Sequence, residues 1–197
     1  MPASHPVDPP HFSVNIPNLL TWLRIALIPA LVMVFYSSFP GAHLLSTALF
    51  GLAAITDWLD GYMARRLAQI SAFGTFLDPV ADKLMVAVAL VLIVERAHSP
   101  WIAVAAAIII GREITVSALR EWMAIVGERT RVRVSNLGKI KTTVQMIALL
   151  MLLYREEWLG LPVWEMGVAL LYLAAFLTLW SMLVYLRAAW PTLRANS

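Results

Sequence analysis

The chain has 197 residues, of which 60% are hydrophobic and 14% charged, with a net charge of +3 and no cysteine. So little polar surface excludes an ordinary soluble domain, and the absence of cysteine excludes disulfides, thiolate metal sites and cysteine nucleophiles. No nucleic-acid partner is expected. The histidines His5, His11, His43 and His98 show no ligand-like spacing. A bound metal should therefore take oxygen ligands, as magnesium, manganese and calcium do.

Residues 1–17 form an irregular, proline-rich polar lead-in, without the basic start and apolar stretch of a secretory signal. Residues 18–197 read as one all-α integral membrane domain, a bundle of six transmembrane helices. A spanning helix needs about 20 mostly apolar residues. The stretches that qualify are 18–37, 44–65, 78–96, 101–122, 136–154 and 162–188. Phe39-Pro40-Gly41, Ser99-Pro100 and Gly160-Leu161-Pro162 punctuate them. Six spans place both termini on one side. Of the 15 Lys and Arg residues, all but Arg96 and Arg155 then fall on that side or in the helix halves nearest it. The positive-inside rule makes that side cytoplasmic. Tryptophans gather near span ends (Trp22, Trp58, Trp101, Trp122, Trp158, Trp164, Trp190), as interfacial belts require.

In the first span Asn18, Thr21 and Arg24 recur every three residues. They either face the bundle interior, where they would help hold a phosphate, or leave Arg24 to snorkel to the interface. The second span ends with Asp57, Asp60, Gly61 and Ala64 at i, i+3, i+4 and i+7, one face of a helix. Gly74, Asp78 and Asp82 follow at i, i+4 and i+8. Two antiparallel helices joined by a short loop bring these faces together, so that four carboxylates meet near the cytoplasmic end. Each Asp costs roughly 2.5–3.5 kcal/mol at the centre of a membrane helix, before mutual repulsion. Arg65 and Lys83 supply only two positive charges. Two divalent cations, Mg2+ or Mn2+, would balance the four acids, in a cytoplasm-facing site suited to phosphoryl displacement. Gly61 and Ala64 leave room for a ligand against the backbone.

The fourth and fifth spans carry Arg112, Lys139, Lys141 and Gln145, which should flank the metal site. A cationic pocket there suits an anionic acceptor such as a glycerol or sugar phosphate. Glu113 is expected to pair with Arg112 or a neighbouring cation. Arg129, Arg131 and Arg133, in the intervening loop, suit ordinary positive-inside bias.

Asp57, Asp60, Gly61, Ala64, Arg65, Gly74, Asp78 and Asp82 stand at fixed spacing over 26 positions. Together they match, without a departure, the signature of the CDP-alcohol phosphatidyltransferases, and the chain resembles that family. The resemblance implies a six-helix fold with a dinuclear metal site and a CDP-linked donor such as CDP-diacylglycerol. An acceptor hydroxyl would attack the lipid-side phosphorus and CMP would leave. By position, Asp57, Asp60 and Asp78 would be metal ligands, and Asp82 both a ligand and the general base. Gly61, Ala64, Arg65 and Gly74 would lie along the CDP moiety, with Asn18, Thr21 and Arg24 helping to hold the donor.

Further stretches, including Ile16 to Thr21, Phe76 to Lys83, Arg112 to Trp122 and Gly138 to Thr143, are similar to bacterial members that take sn-glycerol 3-phosphate. That likeness implies phosphatidylglycerophosphate as product, a homodimer, and a multi-pass place in the bacterial cytoplasmic (inner) membrane among its lipids. Arg112, Lys139, Lys141 and Gln145 would bind the acceptor phosphate. Inositol phosphate, phosphatidylglycerol and serine are the rival acceptors, serine being disfavoured by the basic pocket. A membrane prenyltransferase would need a second DxxD-type pair, whereas Asp78 and Asp82 are four apart. A divalent-cation transporter would spread its acids along a crossing route instead of clustering them beside cations.

Overall fold

The computed structural model describes residues 16–67, 72–125 and 136–195. These form six helices: α1 (Ile16–Phe35), α2 (Ala42–Leu67), α3 (Ala72–Ala97), α4 (Pro100–Ile125), α5 (Asn136–Tyr154) and α6 (Val163–Ala195). The helices coincide with the expected spans, with two extensions. α3 starts at Ala72, six residues before the span predicted from residue 78, and α6 continues past residue 188 to Ala195.

Each helix buries one stripe, and on α1, α2, α5 and α6 the chemistry of that stripe changes along its length. On α1 it reads Thr21, Arg24, Leu27, Leu31 and Phe35, polar at the start and apolar beyond. On α5 it reads Lys141, Gln145, then Ala148, Leu149 and Leu152. α6 reverses the order, with Leu171 and Ala174 preceding Thr178 and Ser181, and on α4 the buried Arg112 follows Ile102, Ala105 and Ile109, with Val116 and Met123 buried beyond it. α2 likewise runs from Phe50 and Ala53 to Thr56. Successive helices therefore alternate in direction around one apolar core, and their buried polar residues collect at one end. Ser46, at the start of α2, is a buried polar residue at the other end.

The connections are set by local backbone chemistry. Gly41, at φ +92°, turns the chain into α2 in a conformation that a side chain would strain. α5 stops where Arg155 takes φ +65° and donates its N–H to the Met151 carbonyl at 3.0 Å, a left-handed cap. Leu159 and Gly160 then both adopt positive φ, and Trp158 and Leu161 exchange backbone hydrogen bonds across them, as in a type I′ turn. α5 and α6 approach closely at Gly167, where a Cβ would lie 3.0 Å from Leu152 Cγ.

Large apolar side chains cover the outside of the bundle, among them Leu52, Ile55, Val91, Val104, Ile114 and Phe176. A surface of this kind belongs in lipid. By length and composition, Pro100–Ile125 and Val163–Arg187 are each apolar enough to cross a membrane. The apolar segments Leu19–Phe35, Ala42–Asp57 and Ile140–Tyr154 are shorter.

Candidate active site

The polar end is organised by contacts from α1 to α2 and α3. Thr21 donates its hydroxyl hydrogen bond to Asp78 Oδ1, and Arg24 Nη1 donates to Asp82 Oδ1. The same Nη1 lies 3.3 Å from Asp57 Oδ1. These pairs climb in the same order on α1 and α3, as parallel helices require. Arg24 is 1% exposed, whereas the side chains of Asp57 and Asp82 remain 50% and 38% exposed. The guanidinium is thus enclosed by protein while the acids open outward. Arg24 does not snorkel; it serves as a counter-cation between two of the expected metal ligands.

Lys83 departs from the expectation that it helps neutralise the acids. Its Nζ bonds Ser117 Oγ of α4 at 2.5 Å, and Ser117 in turn donates to the Glu113 carbonyl at 2.6 Å. One residue along a helix is about 100° of rotation, so Lys83 faces α4 while Asp82 faces α1.

A second polar centre joins α4 to α5. Glu113 Oε1 accepts from Arg112 Nη1 at 2.9 Å and from Lys141 Nζ at 2.6 Å. Arg112 and Lys141 are both buried, and the shared carboxylate keeps two cations close in a confined space. Tyr185 of α6 extends the centre: the Arg112 and Arg120 guanidinium carbons lie 5.8 and 5.6 Å from its ring centroid. Sequence reasoning passed over Tyr185 and Ser117. Tyr185 was findable, because Thr178, Ser181 and Tyr185 repeat at i, i+3 and i+7 along the polar end of α6.

A cavity of about 280 Å³ connects the two centres, bounded by Arg24, Asp57 and Asp82 on one side and Glu113, Thr142 and Gln145 on the other. Of the other expected site residues, Asn18, Asp60, Gly61, Ala64, Arg65, Gly74 and Lys139 stand on the helices, but their side chains lie outside the described residues. The arginines of segment 126–135 lie outside them as well. Among the described residues, no group of three or more His, Cys, Asp or Glu gathers closely enough to hold a metal ion. Asp57 and Asp82 nevertheless converge on a single positive nitrogen. Two hard carboxylate oxygens aimed at one cationic point beside a cavity fit a divalent ion.

This arrangement predicts how the acids behave without Arg24. Arg24→Met removes their counter-cation, so the melting temperature of the detergent-solubilised protein should fall in a chelator. The deficit should shrink on adding Mn2+, because the same acids then gain a replacement charge. An unchanged melting temperature, or a deficit that Mn2+ does not touch, would remove Arg24 from that role.

The CDP-alcohol phosphatidyltransferase family model matches residues 14–180. A protein of Pectobacterium atrosepticum named CDP-diacylglycerol–glycerol-3-phosphate 3-phosphatidyltransferase is 58% identical over 175 residues, covering 89% of this chain and 94% of its own. A protein of Salmonella choleraesuis with the same name is 56% identical over 176 residues, with the same coverage. Another so named, from Pseudomonas fluorescens, is 53% identical over 186 residues, covering 93% of this chain and 94% of its own.

Proposed function

The chain belongs to the CDP-alcohol phosphatidyltransferase family, and from that premise we infer that it transfers the phosphatidyl group of CDP-diacylglycerol to sn-glycerol 3-phosphate. CMP leaves and phosphatidylglycerophosphate forms, a step of phospholipid biosynthesis. The observation that carries this reading to the site is the shared cavity. Carboxylates from α2 and α3 open into the same space as Glu113 and Gln145, beside the buried cations Arg112 and Lys141. One end suits a diphosphate and its metals; the other suits an anionic alcohol.

The residues divide the work accordingly. Arg112 and Lys141, with Lys139, hold the acceptor phosphate by charge-assisted hydrogen bonds. Asp82 accepts the proton of the acceptor hydroxyl as its oxygen bonds to the lipid-side phosphorus. The bond from that phosphorus to the CMP oxygen breaks, and CMP departs with the electron pair. Asn18, Thr21, Arg24, Gly61, Ala64, Arg65 and Gly74 border the donor. The family uses divalent metal ions, and here Asp57, Asp60, Asp78 and Asp82 would hold two, Mg2+ or Mn2+. When bound, such ions neutralise the acids and polarise the diphosphate.

The protein is a membrane protein. In this reading residues 18–197 form one catalytic unit whose six helices all span the bacterial cytoplasmic membrane, following the lead-in of residues 1–17. Both termini and the site face the cytoplasm, and the enzyme works as a homodimer.

The test is CMP release by purified protein in detergent with CDP-diacylglycerol, one acceptor at a time, with and without metal. Release is expected with glycerol 3-phosphate plus Mg2+ or Mn2+, and should be abolished by EDTA and restored by excess metal. Release only with inositol phosphate, serine or phosphatidylglycerol would overturn the acceptor; undiminished release in EDTA would overturn the metal assignment.

A further inference from the structure

We propose that Gln145 recognises the second hydroxyl of the acceptor, the one that neither attacks nor carries phosphate, and so sets acceptor specificity. This rests on the reading of glycerol 3-phosphate as acceptor and gives the Gln145 amide oxygen a partner other than the phosphate. Gln145 borders the cavity, is 4% exposed, and its Oε1 has no hydrogen-bond partner among the described residues. A buried amide oxygen without a donor is unfavourable, and a ligand that brings one relieves it.

The chemistry of that ligand group is narrow. An amide oxygen has only lone pairs, and a phosphate ester at neutral pH likewise offers acceptor oxygens, so the two do not pair. Arg112 and Lys141 both donate to Glu113, and neither reaches the Gln145 oxygen. A hydroxyl is the neutral donor that the acceptor can supply.

Geometry selects which hydroxyl. Lys141 and Gln145 are both buried one helical turn apart, on one face of α5 and about 6 Å apart along its axis. A three-carbon phosphate ester is long enough to run along that turn. With its phosphate at Lys141 and Arg112 and its terminal hydroxyl toward Asp82 across the cavity, the middle hydroxyl is the donor left for Gln145.

The experiment compares glycerol 3-phosphate with 3-hydroxypropyl phosphate, which keeps the nucleophile and phosphate but lacks the middle hydroxyl. Wild-type protein should favour glycerol 3-phosphate by about ten-fold in kcat/KM, the effect of roughly one hydrogen bond. Gln145→Met, similar in length but without the accepting oxygen, should bring that ratio close to one, mainly through loss with glycerol 3-phosphate. Gln145→Glu keeps an accepting oxygen and should keep the preference even if turnover falls. Equal losses for both acceptors in Gln145→Met would show a merely structural side chain and overturn the proposal, as would no preference in the wild type. Wild-type protein that used neither acceptor would instead overturn the underlying reading, a failure visible before any variant is made.

Discussion

Asp82→Asn is expected to lower kcat by roughly two to four orders of magnitude, the range that a positioned general base contributes, while changing donor affinity little. The substitution is nearly isosteric, so the helix and the Arg24 contact can persist through the amide oxygen. What is lost is the negative charge and the ability to take a proton. A hydroxyl remains a poor nucleophile unless its proton has somewhere to go as the new bond forms. Asp82 suits the role by position: it borders the cavity, is part-exposed, and sits on the side opposite Glu113 and Gln145. Asp78, tied to Thr21, does not border that cavity. Turnover and CDP-diacylglycerol binding should be measured on the same preparation. Near-normal turnover would remove Asp82 as the base. A proportionate fall in donor binding would make it chiefly a binding residue.

The helices were legible because each is a long apolar run, and their approximate ends followed from Pro, Gly and charge punctuation. The start of α3 shows where hydropathy stops helping. A hydropathy window opens at residue 78, yet the helix begins at Ala72. The register of Gly74, Asp78 and Asp82 already required that earlier turn. Partners that satisfy Asp78 and Asp82 come from α1, 57 and 58 residues away in sequence. No local pattern reports such a contact, so snorkelling stood as an alternative for Arg24. Lys83 misled for the opposite reason: adjacency to Asp82 suggested a partner, whereas helical rotation carries it to Ser117.

The same physics explains why the charged side chains inside the bundle meet one another at one end. A carboxylate or guanidinium inside a membrane bundle interrupts hydropathy, and it persists only where a partner, water or a ligand satisfies it. Here Arg24 of α1 meets Asp57 of α2 and Asp82 of α3, and Lys141 of α5 meets Glu113 of α4, so the partners are one another's charges. The conversion of the buried stripes of α1, α2, α5 and α6 from apolar to polar at that end accompanies the sequence signature. It extends the signature onto α4, α5 and α6, where spacing alone left roles open.

Lys141→Met should raise the KM for glycerol 3-phosphate by about 10- to 100-fold, the loss of one hydrogen bond to a charged group, with little change in the KM for CDP-diacylglycerol. Lys141 is buried and its ammonium is held 2.6 Å from Glu113 Oε1. The pairing leaves it useful to a phosphate, because an ammonium has three donors and Glu113 takes one. Glu113 keeps Lys141 and Arg112 together before the acceptor arrives, since two buried cations without a shared anion would repel one another. Removing Lys141 leaves Arg112 paired with Glu113, so folding should survive and the defect should appear in acceptor binding. Initial-rate kinetics with each substrate varied in turn separate the outcomes. A rise confined to the acceptor places Lys141 at the acceptor phosphate. Equal rises in both KM values would mean that its role is to hold α4 against α5, and the acceptor phosphate would then have to be sought elsewhere on the cationic face.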